Sequence, residues 1–174
     1  KGDGPAAWYV GRPKFEAVKA DGFVGSVAQG GAVNFTNVNF NPHGHGTHTE
    51  CLGHITKEAE SVNEISIPLL MPCLLVSITP EKRGDDYVIT PSHIPGGLNS
   101  TDPLPPSFII RTLPNLIKKK SKDWANSNPP YLDVDFTNRL VQRGVQHLLL
   151  DLPSVDKEVD GGALESHRAF FGAD

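Results

Sequence analysis

The densest group of chemically reactive side chains in this sequence lies between Asn41 and His54. The segment holds four of the seven histidines of the 174-residue chain, together with the carboxylate of Glu50. Imidazole nitrogens and a carboxylate oxygen are ligands that suit zinc, manganese and iron. Gly44 and Gly46 permit backbone conformations that other residues avoid, so a tight loop can turn successive side chains inward. The segment therefore predicts a site for a divalent metal.

The spacing of three side chains in this segment fits ligation at one point. If the backbone is extended from His48 onward, then His48, Glu50 and His54 lie on one face, because strand side chains repeat at every second residue. A surface loop with scattered histidines is the alternative interpretation, because a spacing motif is only a hypothesis until its structural context is known.

The run from Gly46 to His54 resembles the H-x-G-T-H-x-D-x-P-x-H signature of the cyclase family, whose best-known members are bacterial kynurenine formamidases. The resemblance implies an α/β protein with a swivelling β/β/α fold, a mixed sheet and few helices. It also implies a divalent-metal hydrolase in which His48 and Glu50 are metal ligands and His54 is the acid/base beside the metal. Glu50 replaces the usual aspartate and Leu52 the usual proline, which suggests a divergent branch of the family.

The first metal ligand of the signature has two candidates. The strict register places Gly44 where the family has histidine, so either His43 or His45 must substitute, and His43 fits a one-residue insertion. A further ligand is implied near the carboxyl end, where the resemblance aligns a family histidine with His167. The family places a glutamate after this histidine, beyond the last residue of the sequence.

Size and composition predict one domain over residues 1–174, incomplete at both ends, since the chain begins at Lys1 without methionine. A net charge of −4 argues against a nucleic-acid partner, and the basic run 118–122 is predicted to be a solvated loop. No apolar run is long enough to span a bilayer, so no membrane partner is expected. Two cysteines are too few for a disulfide framework, which favours a reducing compartment and a cytoplasmic location.

The hydrophobic pattern predicts short strands and few helices. Residues 1–31 are predicted to be a long ordered loop, and residues 32–40 alternate as a half-buried strand that leads into the histidine segment. Cys73 is predicted to lie in the core. Buried strands are predicted at 65–70, 74–78, 107–112 and 145–150. Helices are predicted from Asp133 to Gly144 and from Gly161 to Phe171, and the first of them predicts a parallel crossover into strand 145–150.

Three side chains are candidates for contact with a substrate. Trp8, near the start of the chain, could form one wall of a pocket, or it could only anchor its loop to the core. Arg111 lies in the strand 107–112, and its guanidinium presents a rigid fork that suits a carboxylate, either of a substrate or of an internal salt bridge. Trp124 lies in a region that the family resemblance places near the substrate.

The predicted function is hydrolysis of an amide, a formamide or a lactone or ester bond in a small molecule. Zinc or manganese held by four residues would activate water, and His54 would move the proton, since histidine titrates near neutral pH. The four predicted ligands are His43, His48, Glu50 and His167. Residues 151–156 resemble the family's Asp-x-Pro-Ser-x-Asp segment. The family implies an arylformamidase-like role in bacterial tryptophan catabolism and a homodimer or higher homo-oligomer.

Two alternatives stay open at this point. One is a cyclase or dehydratase that acts on a polyketide-like substrate. The other is a non-catalytic metal-binding module, which the replacements at Glu50 and Leu52 favour. An open coordination position beside a pocket would favour hydrolysis, whereas a closed tetrahedral site would favour a structural role.

Overall fold

Ten β-strands and three α-helices are present in the described residues, 4–97 and 99–173, of the computed structural model. The strands are β1 (Lys14–Ala17), β2 (Lys19–Ala20), β3 (Phe23–Val24), β4 (Thr36–Asn39), β5 (Cys73–Ile78), β6 (Glu81–Arg83), β7 (Asp86–Ile89), β8 (Ser107–Thr112), β9 (Tyr131–Leu132) and β10 (His147–Leu150). The helices are α1 (Pro42–His45), α2 (Val134–Gln142) and α3 (Glu165–Phe171). The predicted α/β class with few helices is confirmed. No helix within the described ranges is both long and apolar enough to cross a membrane.

The chain folds as two compact units. Unit 1 contains Lys1–His48 and Lys118–Ala125, and unit 2 contains Thr49–Ile117 and Asn126–Asp174. The expectation of one family domain over residues 1–174 stays a prediction.

A three-stranded parallel sheet, in the order β10-β8-β5, is the centre of unit 2. Both outer strands pair in register with the middle strand, so that Cys73 and His147 each lie opposite Ser107. Parallel strands need a long crossover, and α2 lies in the chain between β8 and β10. The predicted parallel crossover is therefore confirmed.

Helix α2 packs on the buried core of unit 2. Asp133 caps its first turn by accepting a hydrogen bond from the backbone N–H of Asp135 at 2.9 Å, and Gly144 follows its end with a φ of 89°. Phe136 and Leu140 are fully buried, and the Phe136 ring meets the Phe108 ring edge-to-face at 6.3 Å. The start and stop signals of this helix are thus confirmed.

A second, mixed sheet in unit 2 has the order β6-β7-β9. Strand β6 pairs antiparallel with β7, and β7 pairs parallel with β9. The last strand leads directly into Asp133 and α2. This connection fixes the start of α2 beside the buried end of β7, because the Asp133 N–H donates to the carbonyl oxygen of Ile89 at 2.9 Å.

Four predictions about local structure are wrong. Residues 65–70 form no strand and are exposed, with Leu69 97% accessible, since Pro68 lacks the N–H that a sheet ladder needs. Cys73 is exposed although it begins β5. Residues 14–24 contain β1 to β3 where a loop is predicted. Strand β4 is shorter than residues 32–40 and exposed throughout, because β1 is its only partner among the described residues.

Candidate metal centre

The histidine segment of unit 1 begins with a reciprocal cap at Asn41. The Asn41 side chain accepts a hydrogen bond from the Gly44 N–H at 3.1 Å, and Pro42 supplies the fixed φ that suits a first helical turn. Gly44 is required for packing, because a Cβ at this position would lie 2.3 Å from a methyl carbon of Val10. The cap and the glycine together fix α1, the short helix that carries His43 and His45.

His45 is buried, and both of its ring nitrogens have hydrogen-bond partners. Nδ1 accepts from the Asn41 N–H at 2.8 Å, and Nε2 lies 2.6 Å from the carbonyl oxygen of Gly11, to which it donates. A histidine held in this way would have to break a backbone hydrogen bond before it could bind a metal. Of the two candidates for the first ligand, the geometry therefore favours His43.

His43 and His48 lie side by side in unit 1, with ring centroids 4.6 Å apart and an edge-to-face arrangement. His48 Nδ1 is 3.0 Å from the carbonyl oxygen of Gly46, to which a protonated Nδ1 donates. In that tautomer the lone pair of the ring is on Nε2. Unit 1 thus brings two of the predicted ligands together and orients one of them through the backbone.

Glu50, His54 and His167 form one cluster in unit 2. Glu50 Oε1 is 3.1 Å from His167 Nε2, and Glu50 Oε2 is 3.6 Å from His54 Nε2. The two imidazole centroids are 5.7 Å apart. The fold therefore brings a carboxylate and two histidines together although His167 follows Glu50 by 117 positions in the chain.

Two local features hold His54 and His167 in this cluster. His54 ends a short 3-10 turn, Leu52–His54, whose Gly53 packs so closely on the backbone of Glu60 that a Cβ would lie 2.4 Å from its carbonyl oxygen. His167 is buried in the first turn of α3, and the neighbouring Ser166 hydroxyl donates to the carbonyl oxygen of Leu132 at 3.1 Å. The His54 side chain is 34% exposed, so it stays accessible from solvent.

Asp156 is a buried member of this cluster that the analysis of the sequence missed as a site residue. Its Oδ2 is 2.5 Å from His167 Nδ1, and its two oxygens also accept from the N–H groups of Ser166 and His167. A carboxylate on the second ring nitrogen of a histidine fixes the orientation of the ring and raises its basicity. The signal available in the sequence was an aspartate at the end of the segment 151–156, which follows β10 and resembles the family.

The two carboxylates control the protonation of His167. Burial alone would lower the pKa of His167, but the hydrogen bonds with Asp156 and Glu50 outweigh it and raise the pKa to about 9. Burial would raise the pKa of Asp156, but the hydrogen bonds from His167 and from two backbone N–H groups bring it below the ordinary value for aspartate. Without a metal, His167 is therefore an imidazolium held between two carboxylates.

The unit 2 cluster fits a divalent metal ion. Glu50 Oε1 and His167 Nε2, two of the predicted ligand atoms, are 3.1 Å apart, and bonds of about 2.0–2.2 Å to one ion separate neighbouring ligand atoms by roughly 3–3.5 Å. An ion would take the place of the proton on His167 Nε2, while Asp156 keeps its contact with Nδ1. Glu50 and the histidines beside it could thus hold a metal ion.

The comparison with protein families identifies the chain at the level of the family. Residues 3–157 match the family described as putative cyclase. The chain belongs to this family. No curated protein matches the sequence.

Membership of the cyclase family suggests an enzyme that depends on a metal, in agreement with the predicted resemblance. The family match includes Glu50, His54 and Asp156 but ends before His167. His167 is therefore placed in the site by the fold of unit 2, through its contacts with Glu50 and Asp156.

The three predicted substrate contacts of this cyclase-family chain are found in different settings. In unit 1, Trp124 is buried beside Ala6, whose carbonyl oxygen accepts from the Trp124 N–H at 2.8 Å, and the Lys122 ammonium lies 3.9 Å from the centre of the Trp124 ring. Trp8 is half-buried two residues after Ala6. In unit 2, Arg111 is exposed and donates to the Ser77 hydroxyl. Their roles in substrate binding stay predictions.

Proposed function

We propose that this protein is a metal-dependent hydrolase that cleaves an amide, formamide, lactone or ester bond of a small molecule, with an arylformamidase-like C–N bond as the first choice. The observation that carries the proposal is the Glu50 carboxylate shared between His54 and a buried His167, whose other nitrogen meets Asp156. This group combines metal ligands, a histidine ring whose orientation is fixed by Asp156, and a base that solvent can reach. A purely structural fold has no need for that combination.

The proposed ligands are His43, His48, Glu50 and His167, with zinc or manganese as the metal. The His/carboxylate donor set suits either ion. When bound, the ion would supply Lewis acidity that polarises the scissile carbonyl and makes water a better nucleophile near neutral pH. Asp156 keeps the His167 ring oriented, and the Gly46 carbonyl oxygen does the same for His48.

His54 is the proposed general acid and base. Its ring is partly exposed and its Nε2 faces the Glu50 carboxylate at 3.6 Å, beyond hydrogen-bond distance. It can therefore take a proton from the attacking water and return it to the leaving nitrogen or oxygen.

The remaining parts of the proposal concern the substrate and its location. Arg111 would orient a substrate carboxylate. Its guanidinium is exposed and donates to a neutral group, the Ser77 hydroxyl. Trp8 and Trp124 would supply aromatic surface to the substrate. We place the activity in the cytoplasm because Cys51 and Cys73 are both free thiols.

The test measures metal content and hydrolysis on the same samples. Purified protein is analysed for zinc and manganese, reconstituted with each, and assayed on aryl formamides and simple esters between about pH 5.5 and 9. His48→Ala and Glu50→Ala should lose metal and activity together. His54→Ala should keep most of the metal but lose roughly 10²–10⁴-fold in turnover.

The matched control is His147→Ala. His147 begins β10, whereas Asp156 follows the other end of this strand, so the change should alter neither metal content nor turnover. Metal binding without turnover on any substrate would favour a non-catalytic metal-binding module. Loss of metal in His54→Ala would make His54 a ligand and require another base. Absence of metal binding above background would overturn the proposal.

A further inference from the structure

The segment 155–158 of unit 2 carries Asp156, the carboxylate that holds the His167 ring. Val155 packs on the core from one side. On the other side, Asp156 and Lys157 line a cavity of about 370 Å³. A segment that borders a cavity has few apolar contacts to fix it there. The position of Asp156 therefore depends on the polar contacts that its neighbours make.

The first of these contacts is an ion pair between Lys157 and Asp86, the residue that begins β7. The Lys157 ammonium donates to Asp86 Oδ2 at 2.7 Å. The same oxygen accepts from the Tyr131 hydroxyl at 3.1 Å, and Asp86 Oδ1 accepts from the Asn128 side-chain amide at 3.0 Å. The hydrogen bond from Lys157 lowers the pKa of Asp86 and raises the pKa of Lys157, so both groups are charged at neutral pH. Asp86 thus joins the segment 155–158 to the stretch that leads into β9.

Strand β9 extends this attachment to both sides of the contact between Asp156 and His167. The Leu132 N–H donates to the carbonyl oxygen of Val155 at 2.8 Å. The Leu132 carbonyl oxygen accepts from the Ser166 hydroxyl at 3.1 Å. Leu132 therefore connects the residue before Asp156 with the residue before His167, while Asp86 holds the residue after Asp156.

Glu158 provides a third attachment of the segment. Its Oε2 accepts from the Asn128 N–H at 3.0 Å, and its Oε1 accepts from the Asn126 N–H at 2.6 Å. Asn128 is also the residue whose side-chain amide donates to Asp86. Hydrogen bonds to charged groups are the stronger ones, and connected bonds support one another. The segment is thus held at residues 155, 157 and 158, and the last two attachments meet at Asp86.

We propose that Asp86 and Lys157 are positioning residues of the metal centre, whose ion pair fixes the segment 155–158 so that Asp156 holds the His167 ring in the orientation that ligation needs. This inference rests on the proposed function, in which His167 is a ligand. Among the described hydrogen bonds and ion pairs, neither residue touches His167, so both act through the backbone of Asp156. The partner on the second ring nitrogen sets the orientation and basicity of a ligating histidine. Loosening Asp156 should therefore weaken metal binding.

A second ion pair of unit 2 provides the matched control. Arg83 Nη1 donates to Asp133 Oδ2 at 2.8 Å. The side chains of this pair are 52% and 19% exposed, against 39% and 18% for Lys157 and Asp86. Asp133 caps α2, however, and no described hydrogen bond or ion pair joins Arg83 to the segment 155–158. Loss of either pair should have a similar small effect on stability, whereas only loss of the pair at Lys157 should reach the metal centre.

The first experiment measures zinc affinity by competition with a chelator. Lys157→Met should weaken zinc binding about threefold to tenfold, less than the 10–100-fold effect of losing the direct partner of a ligand. Asp86→Ala should weaken it at least as much, and Asp86→Ala/Lys157→Met no further, because the two residues act as one unit. Lys157→Arg should keep most of the affinity, since a guanidinium can donate to the same carboxylate. Arg83→Met should leave the affinity unchanged.

The second experiment detects the hydrogen bond between His167 Nδ1 and Asp156 in metal-free protein. A short, charge-assisted hydrogen bond gives a proton NMR resonance at low field, and loss of this resonance in His167→Gln assigns it. The resonance should shift or broaden in Lys157→Met and Asp86→Ala but stay in place in Arg83→Met. Thermal melts should show similar stability for Lys157→Met and Arg83→Met, which separates positioning from general destabilisation.

Three results would overturn the inference. They are a zinc affinity of Lys157→Met equal to that of the wild type, an equal loss of affinity in Arg83→Met, and a double variant far weaker than Asp86→Ala. A wild-type protein that binds no zinc would instead overturn the proposed function. The NMR comparison then decides the positioning role by itself, because an unchanged resonance in Lys157→Met and Asp86→Ala would exclude it.

Discussion

Phe108 in β8 and Phe15 in β1 show how differently the two units use a strand phenylalanine. Phe108 is fully buried, because β8 has a parallel neighbour on each side and α2 packs over it. Phe15 is exposed, because β1 has a single neighbour and nothing described covers its face. The same residue type therefore stabilises the core in unit 2, whereas in unit 1 it is left exposed to solvent.

The largest expected effect tests the buried side of this comparison. Phe136→Ala should lower the free energy of unfolding by about 3–5 kcal/mol, because it removes a fully buried ring and leaves a cavity beside Phe108. Phe15→Ala should change it by less than about 1 kcal/mol in dilute protein. Urea denaturation of both variants measures the difference. Equal losses of unfolding free energy in the two variants would mean that Phe15 is covered within the same chain.

The next effect concerns the charged cluster in unit 2 and its dependence on pH. The pKa of His167 is raised from 6.5 to about 9, so the folded, metal-free protein binds this proton more tightly than the unfolded chain. The resulting stability is fully present below pH 6.5 and is lost as the pH rises through 9. We expect a fall of about 3 kcal/mol across this window in protein treated with a chelator. His167→Gln should remove the slope, and a slope that persists would assign it to another group.

Asp156→Asn should weaken metal binding by about 10–100-fold, because the amide cannot hold the His167 ring as the carboxylate does. The matched control is Glu16→Gln in β1, which also replaces a carboxylate by an amide but at an exposed position. Competition with a zinc chelator measures both affinities. An unchanged affinity in Asp156→Asn would show that the ring is held in place without this contact.

The smallest effect concerns two buried threonines of unit 2. The Thr137 hydroxyl has no hydrogen-bond partner among the described residues, whereas the Thr112 hydroxyl donates to Asp151 Oδ1 at 2.8 Å. Thr137→Val should therefore raise the free energy of unfolding by about 1 kcal/mol, and Thr112→Val should lower it by a similar amount. Thermal melts of the two variants, recorded together, give the sign of each change.

The sequence predicted best what depends on local signals. The caps at Asp133 and Gly144 mark the ends of α2, and the apolar run at 107–112 marks the middle strand of the sheet. Ser107–Thr112 matches the predicted strand in full because its apolar centre, Phe108 to Ile110, lies between two parallel neighbours in the sheet. These features need no knowledge of the rest of the chain.

The sequence predicted least where distant residues decide the outcome. An apolar run such as 65–70 becomes a strand only where it can pair with a sheet edge, and Pro68 within this run lacks the N–H that such pairing needs. The contact of Asp156 with His167 depends on how β10 and α3 pack, which no spacing in the sequence reveals. The choice between His43 and His45 likewise needed the Gly11 carbonyl oxygen, far from either residue in the chain.

The sheet topology of unit 2 has a consequence for synthesis on the ribosome. The middle strand, β8, cannot gain its second neighbour until the chain has been made as far as Leu150. Strands β1 and β4 are both complete once Asn39 has been made, so they can pair long before the core of unit 2 can form. Because strand pairing is fast relative to synthesis, β1 and β4 can pair while the rest of the chain is still being made. The core of unit 2 therefore closes late, after β1 and β4 have paired.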